Sequence, residues 1–260
     1  MARPPDPGPF RCAADWTKEG HYLPLLEADT TAFAWEWLRR SSAYRVAFDA
    51  ATSGRPAPPP RHYGLERYED PDLSVPNARP IWSTHVSLDV ISARVSDPFA
   101  PRMERVDLRL LSSLVSVTIA EDEIEQLLLS DGHHFIRIDV IVGTLIGCPA
   151  SLTYFLHGLS GLTGPIRALE RLAALVSTGS FPKLPERSPE RRHRWINELR
   201  VADALADGQD QQAIARHLFG DLIARERWRS DSASYRRRVQ RLVTKARERL
   251  SAPHGFWSFR

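Results

Sequence analysis

The sequence predicts an α+β protein built in three parts: a small helical head, an antiparallel sheet carrying one packed helix, and a C-terminal tri-helical module of variant helix-turn-helix type. Three observations predict it. Apolar residues recur at helical spacing near both ends of the chain and alternate with period two through its middle. Proline-rich stretches at residues 52–60 and 181–189 divide these regions. Charge divides them too. Residues 187–260 hold 17 Lys and Arg against 9 Asp and Glu, a net +8. The rest holds 18 against 23, a net −5, so the whole-chain +3 hides a basic end on a mildly acidic body.

The expected boundaries are 1–60 for the head and its linker, 61–180 for the sheet domain and 187–260 for the basic module. In the head, Thr30 or Thr31 suits an N-cap, and Phe33, Trp37, Leu38 and Tyr44 form an apolar face. So many aromatics at this spacing more often fill a core than meet a partner. A docking helix for RNA polymerase, or for the chain's own sheet, is the other reading. The linker after it predicts an independent head, with Arg39 and Arg40 exposed.

In the middle, Val86, Leu88 and Val90 alternate, as do Val115, Val117 and Ile119. Asp131-Gly132 suits a tight hairpin turn, with His133 and His134 on the strand beyond it. Residues 151–157 read as another strand of an antiparallel meander. Residues 165–177 read as a helix, with Pro165 at its first position and a stripe of Ile166, Leu169, Leu172, Ala173 and Val176.

Composition excludes several classes. The chain has no run of eighteen apolar residues, and Pro4, Pro5, Pro7 and Pro9 fall where a signal peptide needs an apolar core, so a cytoplasmic protein without membrane contact is expected. Cys12 and Cys148 form neither a disulfide framework nor a metal motif. No glycine-rich phosphate loop, nucleophile elbow or zinc-protease motif occurs. No enzyme activity, cofactor or metal is expected.

In the basic module, a helix ending at Gly208 should bury Trp195, Leu199, Ala202 and Leu205. A second short helix should bury Ile214, Leu218 and Phe219 and stop at Gly220. The third carries a stripe of Tyr235, Val239, Leu242, Val243, Ala246 and Leu250. Arg237, Arg238, Arg241, Lys245, Arg247 and Arg249 fall on its remaining surface. Such a face suits double-stranded DNA, because arginine forks onto phosphates and guanine edges alike. A charge run usually only solvates its helix, but this one is nearly one-signed. The eleven residues 221–231 between the second and third helices exceed an ordinary helix-turn-helix turn and include Trp228, which more often anchors such a loop than stacks on bases. Besides a transcriptional regulator, two readings stand: an accessory nucleoprotein, and a recombination enzyme using Tyr235 as nucleophile with Arg236 and Arg241 on the phosphate. Tyr235 begins the apolar stripe, which favours a core role for it.

The run from Leu199 to Gly220, then Trp228, then Ser-x-x-Tyr-Arg-x-Arg-Val-x-Arg-Leu from Ser232 resembles the C-terminal domain of proteobacterial regulators carried on integrative and conjugative elements. The segment from Asp139 (Asp-Val-Ile-Val-Gly-Thr-Leu) is similar to the stretch leading into it, and Phe33-Ala-Trp-Glu-Trp-Leu-Arg-Arg-Ser-Ser-Ala-Tyr-Arg resembles the accompanying N-terminal domain. Together they resemble FseA-type transcriptional activators of element excision. The resemblance implies a DNA-binding activator of excision and transfer genes, restrained by a small antiactivator protein. Carried over by motif, the DNA-contacting candidates are Gln211, Gln212, Arg216, Arg236, Arg237, Arg238, Arg241 and Lys245.

Overall fold

A computed structural model describes residues 14–87, 89–120, 122–159, 161–182, 189–220 and 233–251. It divides the chain into two compact units. The first combines Met1–Pro59, Asp70–Val75 and Glu186–Arg260, and the second combines Pro60–Glu69 and Pro76–Pro185. The head and the basic helices, expected in separate domains, therefore share one unit.

In the first unit, a 3-10 segment at Glu19–Leu26 precedes α1 (Thr30–Leu38) and α2 (Ser42–Thr52). Asp29, not a threonine, caps α1 by accepting the Ala32 N–H at 3.1 Å. Ser41 caps α2, so Tyr44 belongs to a second helix. Nearly every residue of α1 is buried: Ala32, Phe33, Ala34, Trp35, Glu36, Trp37 and Leu38. A helix apolar on all sides must be surrounded by structure. The Asp70–Val75 segment covers part of it, where the Trp35 indole donates to the Leu73 carbonyl at 2.9 Å. The Val75 N–H donates to Glu36 at 2.9 Å.

The remaining neighbours are α4 (Pro189–Ala206), α5 (Gln211–Phe219) and α6 (Ala233–Ser251). Phe33 meets Trp195 of α4 edge to face, ring centroids 5.0 Å apart. Trp16 meets His217 of α5 in the same way at 4.8 Å. Burial on α4 runs almost unbroken from Glu198 to Ala204, charges included. Each buried charge has a partner in the head or on α6. The Arg200 guanidinium donates to the Trp16 carbonyl at 3.0 Å. Arg192 donates to the Leu26 carbonyl.

The second unit is a six-stranded sheet of order β2-β6-β1-β5-β4-β3. The strands are β1 (Val90–Val95), β2 (Arg105–Val106), β3 (Val115–Ile119), β4 (Glu125–Ser130), β5 (Phe135–Val142) and β6 (Ala150–Phe155). The expected meander is antiparallel except at one place: β1 lies between β5 and β6 and pairs with β5 in parallel. Alternation reveals which residues share a face, not which strand lies alongside. The β1 strand starts at Val90; Val86 lies in a turn, and Leu88 is outside the described residues. Ile136, Ile138 and Val140 of β5 face the core with Leu127 and Leu129 of β4. The helix α3 (Thr163–Thr178) covers that face with Ala168, Leu172 and Leu175. Its expected stripe is rotated, because Ile166, Ala173 and Val176 are exposed.

On the opposite face, Arg137 forks onto Asp139 at 2.7 and 2.8 Å and donates to the Trp82 carbonyl. The β4–β5 turn is a four-residue loop, so His133 and His134 sit in the turn, not on the strand. Asp131 closes it by accepting the N–H groups of His133 and His134 at 2.9 and 2.8 Å. Gly132 is required there. Its φ is +94°, and a Cβ would lie 2.2 Å from the Pro76 carbonyl oxygen.

Candidate nucleic-acid interface

The basic helices are built as their punctuation implies. Gly208, at φ +74°, ends α4. Asp210 then caps α5, accepting the Ala213 N–H at 2.7 Å. These signals join α4 to α5 through a short turn. Ile214 is fully buried on α5, while Leu218 and Phe219 are half-buried. On α6, Val239, Val243 and Ala246 are buried at spacings of four and three, and the helix packs on α4, α5 and α1. Leu242 and Leu250 flank that stripe, half-buried.

Tyr235 departs from the expected stripe. It is 40% exposed, with its ring 5.5 Å from that of Phe219. It precedes the first buried turn of α6, so it lies at the edge of the core and not within it.

The candidate contact residues divide by environment. Arg237, Arg238, Arg241 and Lys245 are exposed on α6, and Arg236 is half-buried. Arg238 lies over the Phe219 ring, 4.5 Å from its centroid, which fixes the guanidinium beside α5. Lys245 pairs with Glu248 at 2.6 Å, both side chains about half exposed. That pair is weak and screened, and Lys245 exchanges it readily for another anion. On α5, Gln211 and Arg216 are exposed. Gln212 is half-buried, with its amide nitrogen shielded and without a hydrogen-bond partner. Trp228 and the rest of residues 221–231 lie outside the described residues.

Arg249 is not on the basic surface. Its Nε donates to Glu198 of α4 at 2.7 Å, the two side chains 10% and 4% exposed. Its guanidinium lies 5.7 Å from the centre of the Trp37 ring in α1. Arg39 and Arg40 are buried as well. Glu36 receives Arg39 at 2.9 Å and also Arg40, which forks onto Asp203 of α4 at 2.7 and 2.9 Å. The Tyr22 hydroxyl completes the cluster, donating to Asp203 at 2.6 Å. Burial opposes ionisation of Glu36, but Arg39, Arg40 and the Val75 N–H outweigh it and hold the carboxyl below its ordinary value. Local spacing shows Glu36 with Arg39 and Arg40, but contains no sign of the pairs with Asp203 and Glu198. The available signal is three charges, Glu198, Arg200 and Asp203, interleaved with the apolar Leu199, Val201, Ala202 and Ala204.

Residues 159–250 match a family model described as a T6SS transcription factor DNA-binding domain. Residues 15–67 match one described as a proteobacterial transcriptional regulator-like domain. No curated protein matches the chain. The basic helices thus lie in a domain of DNA-binding transcription-factor type, and the head in one of transcriptional-regulator type. Among the described residues no cluster of His, Cys, Asp and Glu is arranged to hold a metal ion, and no helix is long and apolar enough to cross a membrane.

Proposed function

We propose that this chain is a transcriptional activator that binds duplex DNA through the basic face of α6, with α5 beside it, and that it turns on excision and transfer genes of a mobile element. The observation that carries the DNA reading is the exposed row of Arg237, Arg241 and Lys245 on α6, one helical turn apart and backed by a fully buried Val239, in a segment similar to a DNA-binding domain. Arg236, Arg238, Arg216, Gln211 and Gln212 flank this row as further contacts. The mobile-element role, an interaction with RNA polymerase and restraint by a small antiactivator rest on the family resemblance alone. A cytoplasmic location follows from a DNA partner.

Sequencing the fragments retained by the purified chain from sheared DNA of its source genome tests this reading. Enrichment upstream of excision or transfer genes, with reporter expression rising when the chain is supplied, is the expected result. Uniform recovery along the genome would support an accessory nucleoprotein instead. Failure to retain DNA would overturn the proposal.

A further inference from the structure

The C-terminal end of α6 holds a contact that DNA binding by itself does not explain. The apolar stripe of α6 is made of Val239, Val243 and Ala246, small side chains whose packing is non-directional. Such a stripe selects which face of the helix is buried, and leaves the finer setting of its rotation to directional contacts. Directional contacts sit at the two ends. Near the N-terminus, Arg238 lies on the Phe219 ring of α5. In the last turn, Arg249 is anchored to Glu198 of α4 and lies against Trp37 of α1. Between these anchors lie the exposed Arg241 and Lys245. Trp37 is itself fully buried in the head, whose neighbour Arg40 grips α4 through Asp203.

We infer that Glu198, Arg249 and Trp37 are positioning residues for DNA binding, and that the head sets the rotation of the basic helix instead of serving as a separate effector arm. The inference rests on the DNA-binding reading above. Registering several guanidinium groups on successive phosphates requires a fixed helix face. A helix free to roll engages fewer of them at once. Glu198 therefore strengthens DNA binding although its own charge is negative.

That opposition of signs supplies the test. Full-length wild type, Glu198→Gln, Arg249→Gln, Arg249→Lys and Trp37→Phe chains are titrated with a labelled mixed-sequence DNA duplex over a range of salt, with circular dichroism melting as the control for folding. Removing a carboxylate from a basic module should tighten DNA binding if only charge matters. Positioning instead predicts that Glu198→Gln weakens binding by about ten-fold, with a shallower salt dependence as one or two phosphate contacts are lost. Arg249→Lys should recover part of what Arg249→Gln loses. Glu198→Gln binding as tightly as wild type, with the same salt slope, would overturn the inference. If Glu198→Gln is unfolded at the assay temperature, Trp37→Phe is judged by the same criterion: weaker binding and a shallower slope support positioning, and unchanged binding refutes it. A wild-type chain that binds no duplex at all would overturn the DNA-binding reading itself.

Discussion

Arg40 of the head and Asp203 of α4, 163 residues apart in the chain, meet in a buried two-bond fork of 2.7 and 2.9 Å. Tyr22 donates to the same carboxylate. Asp203→Ala removes the two-bond fork from the buried Arg40 guanidinium and the carboxylate to which the Tyr22 hydroxyl donates. Breaking one side of such a pair costs about 3–5 kcal/mol. Denaturant unfolding followed by far-ultraviolet circular dichroism should show that loss, and a change within experimental error would contradict the geometry.

Removing residues 1–59 should unfold the basic helices rather than release them. Those helices rely on Phe33 against Trp195, Trp16 against His217 and Arg40 on Asp203. The truncated chain should lose more helical signal than its missing segments account for, and should lose DNA binding with it. A cooperative melt of residues 187–260 alone, with DNA binding retained, would show that the module is self-sufficient.

Arg237→Ala and Arg241→Ala should each weaken duplex binding while leaving the melting temperature within a few degrees, because both side chains are exposed. Val239→Asp should unfold the unit. Its site is fully buried, and an unpaired carboxylate there costs several kcal/mol. Melting curves beside binding isotherms separate the two classes. If the arginine substitutions melted the protein and Val239→Asp did not, the helix face would be assigned the wrong way round.

Glu36 and Asp131 both contribute to the loss of stability in acid. Glu36 titrates below its ordinary value of 4.5 because Arg39 and Arg40 outweigh its burial. Asp131 is lowered to about 2: partial burial opposes its charge, but its bonds with the His134 ring and with the His134 and His133 N–H groups prevail. A depressed folded-state value gives stability that is complete above the unfolded value and is lost as pH falls toward the folded one. Stability should therefore decline below about pH 4.5, the decline from Asp131 running from roughly pH 4 to 2. Asp131→Asn should remove part of that decline, as read from unfolding free energies at several pH values. An unchanged profile would refute its contribution.

Local signals were legible in the sequence where the structure is decided locally. Gly208 and Asp210 mark the turn between α4 and α5, and the spacing of Val239, Val243 and Ala246 identifies the buried side of α6. The Asp131-Gly132 signal placed the hairpin turn between β4 and β5. What escaped depends on distant partners. The parallel β1–β5 pairing is a choice of neighbour, to which a period of two is blind. On α3 the buried side is set by Ala168, Leu172 and Leu175 meeting the sheet, while Ile166 and Val176 remain outside. Arg39 and Arg40 follow Glu36 at helical spacing, which equally suits a solvated face; their burial, and the Asp203 and Glu198 partners of Arg40 and Arg249, arise only once α1, α4 and α6 are packed. The proline-rich stretch after α2 suggested an independent head, yet a linker constrains only the chain that it contains, not what the flanking helices bury.

The most direct test of the central claim is the salt dependence of duplex binding by the purified full-length chain. Exposed Arg237, Arg238, Arg241, Lys245 and Arg247 on α6 should displace counterions from several phosphates at once. The logarithm of the association constant should then fall against the logarithm of salt concentration with a slope of roughly −4 to −6. An affinity that stays flat from low to physiological salt would contradict the assignment of α6 as a DNA-binding face.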